Sequence, residues 1–576
     1  MTEGTRDFAA RLAALDDDAL AALLAARGVS PSATWRDYFD AADALAEPSF
    51  VARALQGLTW TELAALARAS ADGSAVPEDE APTARTLGLT DASGVPLPST
   101  AKAIDLVTID GTEAPADLPP ADQATERETA ERAFTSVASF GDILIQTLHA
   151  PLARLGSGAI AAADRRRISE ELQNPEDLDA LIELARTAGL LDVEGRWLLP
   201  TAQAELWLRQ PTVRRWSVVA TAWRDALPRG IRAGGAWTDP ATWASTFPAD
   251  ASWPARASAL RAQAVVWGLI APGGSAPAWS RALAAGSAEA EEHLGRLLPH
   301  EVDRIYLQND LTAISPGPLA SGLDVRLRQL AHRESHAQAS SYRFTQESIA
   351  AALTEGETAD SMLEFLAGLS LTGVPQPLEY LVRTTSDKHG LVQVGYDPDA
   401  PPEAPRTLVT SIQEQAIKTI AVDQSLRPLG LVRTADGSGL TTRAPRDTVL
   451  WALVDARYPA VAVDADGREE RMRRHRVAAG PVAPGSASVD AYATLIATLR
   501  ASVSSNADTA WLEREIEAAV RARALVEVEV QLPDGATRTF VLEASGLGGG
   551  RLRGRERGTD VERTLPVSSV RGVRRL

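Results

Sequence analysis

Tryptophan is a large side chain that needs a dry place to pack, and this sequence puts eight of its 13 between Trp207 and Trp279. Trp207, Trp216 and Trp223 are followed by Trp237, Trp243, Trp253, Trp267 and Trp279, set among Leu and Ala at helical intervals. An exposed tryptophan can stack on a nucleobase. Among aliphatic residues at this spacing, however, the rings read as core. Residues 231–300 are therefore expected to be a helical connector joining the module before them to the one after.

Composition supports several such cores. Hydrophobic residues make up 45% and charged residues 23% of the 576, the balance of a multidomain globular chain with room for about four domains. The absence of Cys removes disulfides and thiolate metal sites. The longest apolar run, near Ala264–Ala271, is far too short for a membrane span, and the first residues have no signal-peptide core. A cytoplasmic protein with no membrane partner is expected. A net charge of −18 opposes generic affinity for a polyanion, so any DNA contact has to come from local Arg clusters. Only Lys102, Lys388 and Lys418 are lysines among the 58 basic residues. Such Arg-rich, Lys-poor usage is a compositional habit of the whole chain, and Arg abundance alone does not mark a phosphate site.

Two modules precede the tryptophan-rich stretch. Residues 1–109 read as a helical, winged-helix-like domain. A helix pair over residues 7–27 breaks at Asp16-Asp17-Asp18, an acidic cap, and Leu20, Leu23 and Leu24 repeat until Gly28 stops the run. A helix around Phe50–Leu55 precedes another that opens at Thr59-Trp60-Thr61-Glu62. Residues 72–82 and 110–123, rich in Asp, Glu, Ala and Pro, read as an insert and a linker. Residues 124–230 form a second winged-helix-like domain. It has a stripe of Phe140, Ile143, Leu144 and Leu148, a helix holding Arg165, Arg166 and Arg167, a helix over Glu176–Ala188, and a hairpin turning at Glu194-Gly195. Helix, helix, hairpin is the order of a winged helix, a fold used for DNA and for protein docking. The DNA-reading position falls on Glu176–Ala188, which is acidic or apolar apart from Arg186, while the Arg triplet lies one helix earlier. The triplet reads either as a DNA contact or as the solvated face of a structural helix.

Residues 301–396 alternate short strands and helices. Arg304–Ile314 reads as a strand ending at Ser315-Pro316-Gly317-Pro318, followed by a helix over Leu323–Arg333. Tyr342-Arg343-Phe344 is a short strand, Thr345 and Thr358 cap two further helices, and a turn at Asp387–Gly390 leads to a strand at Leu391–Val394. Tyr306–Ala313, Pro316–Leu319, Glu334-Ser335, Tyr342–Thr345 and Val374–Leu378 with Tyr380-Leu381 carry a resemblance to the N-terminal domain of XPB-type DNA helicases. The version it resembles is the one in large actinobacterial helicase-associated proteins. The resemblance implies an accessory or docking role beside a motor, and names no catalytic residue.

Beyond a linker at Asp397–Pro402, residues 405–480 read as a mixed α/β unit with helices at Val409–Ile417 and Asp447–Asp455 and a strand at Ala460–Val463. Arg471, Arg473 and Arg474 form a basic knot near its end. Residues 488–576 read as a helix, Asp508–Ala524, followed by short strands. Val526–Leu532 alternates strictly, Asp534-Gly535 is a hairpin turn, and Thr539–Leu542 returns. This order suggests a small Sm-like β-barrel similar to the WYL domains of bacterial regulators, without the aromatic residues usual in that family's first strand. Its end holds the most basic patch, with Arg551, Arg553 and Arg555 and then Arg574 and Arg575. The patch reads as a nucleic-acid contact or as an exposed barrel rim. The fold expected is thus α+β and multidomain, predominantly helical, with winged-helix-like N-terminal modules, a central mixed α/β domain like the XPB N-terminal domain, and a C-terminal Sm-like barrel.

No residue pattern nominates catalysis. A nucleotide motor needs a Gly-rich loop ending in Gly-Lys-Ser/Thr, and none of the three lysines follows a glycine. His332 and His336 are four apart on a predicted helix but lack the zinc-protease order and a third ligand, so they are expected to be an exposed helix end. Gly546, Gly548, Gly549 and Gly550 are not a dinucleotide fingerprint, since Arg551 holds the sixth position. The expectation is a non-enzymatic adaptor with no cofactor that docks with an XPB-type helicase or a related DNA-processing protein. A DNA-binding transcriptional regulator is the alternative.

Overall fold

The computed structural model describes residues 3–107, 118–334, 340–397, 400, 406–470, 472, 477–480, 486–502, 512, 515–517, 519–532, 536–558 and 561–575. Within them the chain is a mixed α/β, multidomain protein, about half helical, with several small sheets and none closed into a barrel.

The tryptophans do form a core. Each of the eight from Trp207 to Trp279 is at most 1% exposed. Burying an indole strands its N–H unless it finds an acceptor, and here all eight do. Trp216 and Trp267 donate to each other's carbonyl oxygens at 2.9 and 3.1 Å. Trp223 donates to Gln263 Oε1 at 2.9 Å, and Trp207, Trp237, Trp243, Trp253 and Trp279 donate to backbone carbonyls. The long helix Gln123–His149, capped by Asp122, runs through this core, and its Phe140 meets the rings of Trp207 and Trp267 at 4.9 and 5.2 Å. One continuous core extends from Leu118 to Leu294, so the helices Trp253–Val266, Ala278–Ala284 and Glu289–Gly295 pack with the preceding module.

Ahead of that core, Asp16 caps the helix Asp17–Ala26 by accepting from the Ala19 N–H at 2.7 Å. Thr59 and Glu62 form a reciprocal capping box at the start of Trp60–Asp72. The helix pair expected over residues 7–27 is present as Glu3–Ala14 and Asp17–Ala26. Its apolar face is completed from far along the chain, because Tyr492, Leu495, Ile496 and Leu499 of the helix Ser486–Ala501 share one cluster with Phe8, Leu24 and Leu45.

The central unit has an antiparallel sheet in the spatial order Tyr306–Leu307, Thr312–Ser315, Ser340–Arg343, His332–Arg333, packed on four helices. Thr345 and Thr358 cap helices as expected, each in a reciprocal box with a serine. The helix expected over Leu323–Arg333 ends at Leu330, and His332 lies on an edge strand instead of a helix end. There Ala331 has extended backbone, and the His332–Arg333 pairing with Tyr342 and Arg343 replaces the last helical turn. His336 lies outside the described residues.

Strand Val392–Tyr396 pairs antiparallel with Thr407–Ser411 and parallel with Ala460–Ala462, so one five-stranded sheet straddles Asp397–Pro402. Val409, expected in a helix, is therefore a buried strand residue, and the helix starts later, at Glu414–Val422. β-branched Thr407, Val409 and Thr410 suit a pleated ladder better than a helix.

At the C-terminal end, Leu512, Ile516 and Ala519 pack on a five-stranded antiparallel sheet. Its strands are Leu525–Gln531, Thr537–Gly548, Arg551–Glu556, Glu562–Pro566 and Val570–Arg575, with the fifth pairing back onto the first. The expected Sm-like barrel is not closed. Glu562–Pro566 and Val570–Arg575 remain the two edges, joined by the turn Val567–Ser569 and not hydrogen-bonded to each other as strands.

Candidate nucleic-acid interface

The expected Arg clusters lie on separate units, and pairing differs among them. Arg165, Arg166 and Arg167 sit on the helix Ala162–Ser169. Arg165 is bonded to Asp179 of the next helix, and Arg167 reaches Gln146, the Ala150 carbonyl and Asp164 at 3.1 to 3.3 Å. Only Arg166 points out without a partner among the described residues. The following helix, Leu178–Thr187, exposes Asp179, Glu183 and Arg186, and Glu183 holds Arg186 at 3.0 Å. Both of its exposed acids are thus taken up by arginines, so the face is close to neutral and offers a phosphate backbone no surplus positive charge. At the hairpin turn the exposed Arg196 lies 4.6 Å from the centroid of the Trp197 ring.

Arg471, Arg473 and Arg474 lie outside the described residues, as does the side chain of Arg575. Arg574 is held by Glu527 at 2.7 Å at the edge of the C-terminal sheet. Arg551, Arg553 and Arg555 alternate with buried Leu552 and Gly554, which places all three on one exposed sheet face.

The densest buried charge lies elsewhere and was not anticipated. Asp142, 5% exposed, interrupts the apolar stripe of the long helix and accepts from Arg328 at 2.6 Å and from Arg333, both in the central unit. Arg328 also lies 3.9 Å from Asp324, which accepts from the Tyr342 hydroxyl at 2.6 Å. Arg215 faces Asp324, Glu301 and Asp142 from the tryptophan core and donates to Thr212 at 3.1 Å. Thr212 in turn donates its N–H and hydroxyl to Glu301 at 2.9 and 2.6 Å. Three guanidiniums thus meet three carboxylates. Burial pulls Arg328 down, but Asp142 and Asp324 outweigh it and hold the charge above its ordinary range. Burial wins at Arg215, which is lowered, and at Tyr342, which burial and then Asp324 keep protonated. A carboxylate inside the run Phe140–Leu144 was the one sequence signal of this junction.

Among the described residues no three His, Asp or Glu side chains gather as a metal site, and no helix is long and apolar enough to cross a membrane. The depression beside Gln329, Ala352 and Glu355–Glu357 encloses about 210 Å³ and is open and polar, below the usual size of a cofactor pocket.

Comparison with known families places the central unit. Residues 305–435 match the family described as helicase conserved C-terminal domain. The match covers under a quarter of the chain and supports the helicase-associated link expected from the motifs around Tyr306–Leu381. It runs through the central unit, across residue 396 and into the following sheet, in keeping with the strand pairing that bridges that point. No curated protein matches the chain.

Proposed function

We propose that this protein is a non-enzymatic adaptor that docks with an XPB-type helicase or another DNA-repair or transcription machine in the cytoplasm. The match to a helicase C-terminal domain carries this reading, taken with a sequence that has no Gly-Lys-Ser/Thr nucleotide loop. The Asp142 network supports it further. It fastens the matched region to the tryptophan core, as expected where one part binds a partner and another must follow it. The order long helix, strand, helix, helix, hairpin over residues 123–200 supports a winged-helix module, and the paired charges of Leu178–Thr187, with no surplus of arginine, favour protein docking over DNA reading for it. In the C-terminal unit, the return of the fifth strand to the first after a short helical turn supports an Sm-like, WYL-like ancestry. The test is co-purification from the native host beside an ATPase assay. A helicase or nucleic-acid enzyme among the partners, with no turnover by the isolated chain, is expected. ATP hydrolysis by the isolated chain refutes the adaptor.

A second reading, a DNA-binding transcriptional regulator, rests on the exposed arginines of the C-terminal sheet. A gel-shift series across salt separates the two, because phosphate contacts make affinity fall steeply with salt.

A further inference from the structure

Register distinguishes the three arginines that share the exposed face of Arg551–Glu556. Arg555 lies between Glu543 on one neighbouring strand and Glu562 on the other, so carboxylates flank it on both sides. Arg553 lies between Gly546 and Thr564, and Arg551 between Gly548 and Pro566. No acid stands across from either, and among the described residues neither has a side-chain partner. The strand Thr537–Gly548 shifts register between Ala544 and Gly546, and beyond the shift it presents glycines where other side chains would cover the arginines. A Cβ built at Gly546, Gly548, Gly549 or Gly550 meets nothing within 4 Å, so this end of the sheet is bare backbone beside two guanidiniums. In a protein of net charge −18, two cations with no carboxylate in the directly opposed register positions stand out.

We infer that Arg551 and Arg553 bind the phosphate backbone of a nucleic-acid strand laid along the glycine-lined end of this sheet face. The inference deepens the DNA-contacting side of the proposed function and assigns it to the C-terminal sheet instead of the winged-helix-like module. Residues two apart on a strand lie about 6.6–6.8 Å apart on one face, which lets two guanidiniums take neighbouring phosphates of one strand. Missing side chains on the adjacent strand let that backbone approach closely. With no exposed aromatic on this face to stack a base, contact is to phosphate alone and does not read sequence.

The test is fluorescence-anisotropy titration of the full chain with labelled single-stranded oligothymidine from 50 to 200 mM salt. Each phosphate contact on a single strand contributes about 0.7 to the slope of log affinity against log salt. Replacing both arginines (Arg551→Gln with Arg553→Gln) is therefore expected to flatten the slope by about 1.4. The advantage of the native chain over the variant then shrinks about sevenfold across the fourfold salt range. Gly548→Glu is expected to mimic the loss of Arg551 by supplying the missing carboxylate. Arg571→Gln, at a residue already held by Gln531 at 2.9 Å, is expected to leave the slope unchanged. Unchanged melting temperatures confirm that these exposed substitutions leave the fold intact. A native slope that survives the double substitution and Gly548→Glu overturns this site but leaves DNA contact elsewhere standing. No binding by the native chain overturns the site, while the gel-shift series still decides the regulator reading and co-purification the adaptor. Equal, Arg551-dependent binding of polyglutamate overturns nucleic acid as the occupant.

Discussion

Asp142→Asn tests whether the helicase-like unit and the tryptophan core behave as one body. The carboxylate is 5% exposed and is shared by Arg328 at 2.6 Å and Arg333, whose side chains are 10% and 12% exposed. Removing one member of a buried ion pair costs roughly 3–5 kcal/mol, mostly because a charge is left behind without compensation. Here Arg328 keeps Asp324 at 3.9 Å, so part of its charge stays compensated and the cost should fall toward the lower end of that range. A chain of several units does not melt in one step, so a single unfolding free energy is the wrong readout. Hydrogen exchange is local, and 3–5 kcal/mol corresponds to roughly 100- to 4,000-fold faster exchange at about 1.4 kcal/mol per decade. The acceleration should concentrate in Ser321–Leu330 and the facing turns of Gln123–His149. Replacing Asp142, Arg328 and Arg333 together by apolar residues of similar volume should restore most of the protection, since a well-packed apolar replacement is often neutral or better. Exchange within threefold of native in Asp142→Asn would refute the reasoning. So would a triple variant less protected than the single one.

Other consequences are simpler to measure. Trp216→Phe leaves the Trp267 carbonyl oxygen without its donor and should cost about 1–3 kcal/mol, and Trp216→Ala about 3–5, read as faster hydrogen exchange in the helices of the tryptophan core. Gly268→Ala should lose more than a loop glycine would, because φ is +64° and a Cβ would lie 2.7 Å from Ala133 Cβ and 2.8 Å from the Thr129 carbonyl oxygen. Unchanged hydrogen exchange around Trp253–Val266 and Gln123–His149 in that variant would count against this packing. Glu62 is buried, which alone would raise its pKa. Hydrogen bonds from Thr83 and Thr59 and the Arg229 charge prevail and hold it below its ordinary value. Its folded-state value is thus depressed, so its contribution is present above about pH 4.5 and is lost as pH falls from there through the folded value. A stability profile from pH 6 to 3 should show that loss, and Glu62→Gln should remove it. Tyr492→Phe deletes the 2.6 Å hydrogen bond to the Val29 carbonyl and should cost about 1 kcal/mol, read as faster proteolysis around Ser486–Ala501.

What could be read from the sequence was what neighbours in the chain decide. The acidic cap at Asp16, the caps at Thr345 and Thr358 and the Glu194-Gly195 turn depend on a few adjacent residues and reappear in the structure. The tryptophans were legible too, because no other place suits so many indoles. Helix and strand were confused at Val409 and at His332, where a ladder partner far along the chain overrode the local pattern. The Arg clusters could be counted but not ranked. Arg165 is taken up by Asp179 and Arg574 by Glu527, whereas strand register sets no acid opposite Arg551 or Arg553 among the described residues. The Asp142 junction joins residues 186 and 191 positions apart, and only an acid in an apolar stripe hinted at it.

The helix Ser486–Ala501 completes the core of the first helices across a separation of 463 positions at the Tyr492–Val29 bond. During synthesis at about 5–20 residues per second, that apolar face waits roughly 20–90 s for its cover. The N-terminal segment therefore emerges from the ribosome sticky and unfinished, and chaperone supply, more than equilibrium stability, should limit how much of this protein a cell can accumulate.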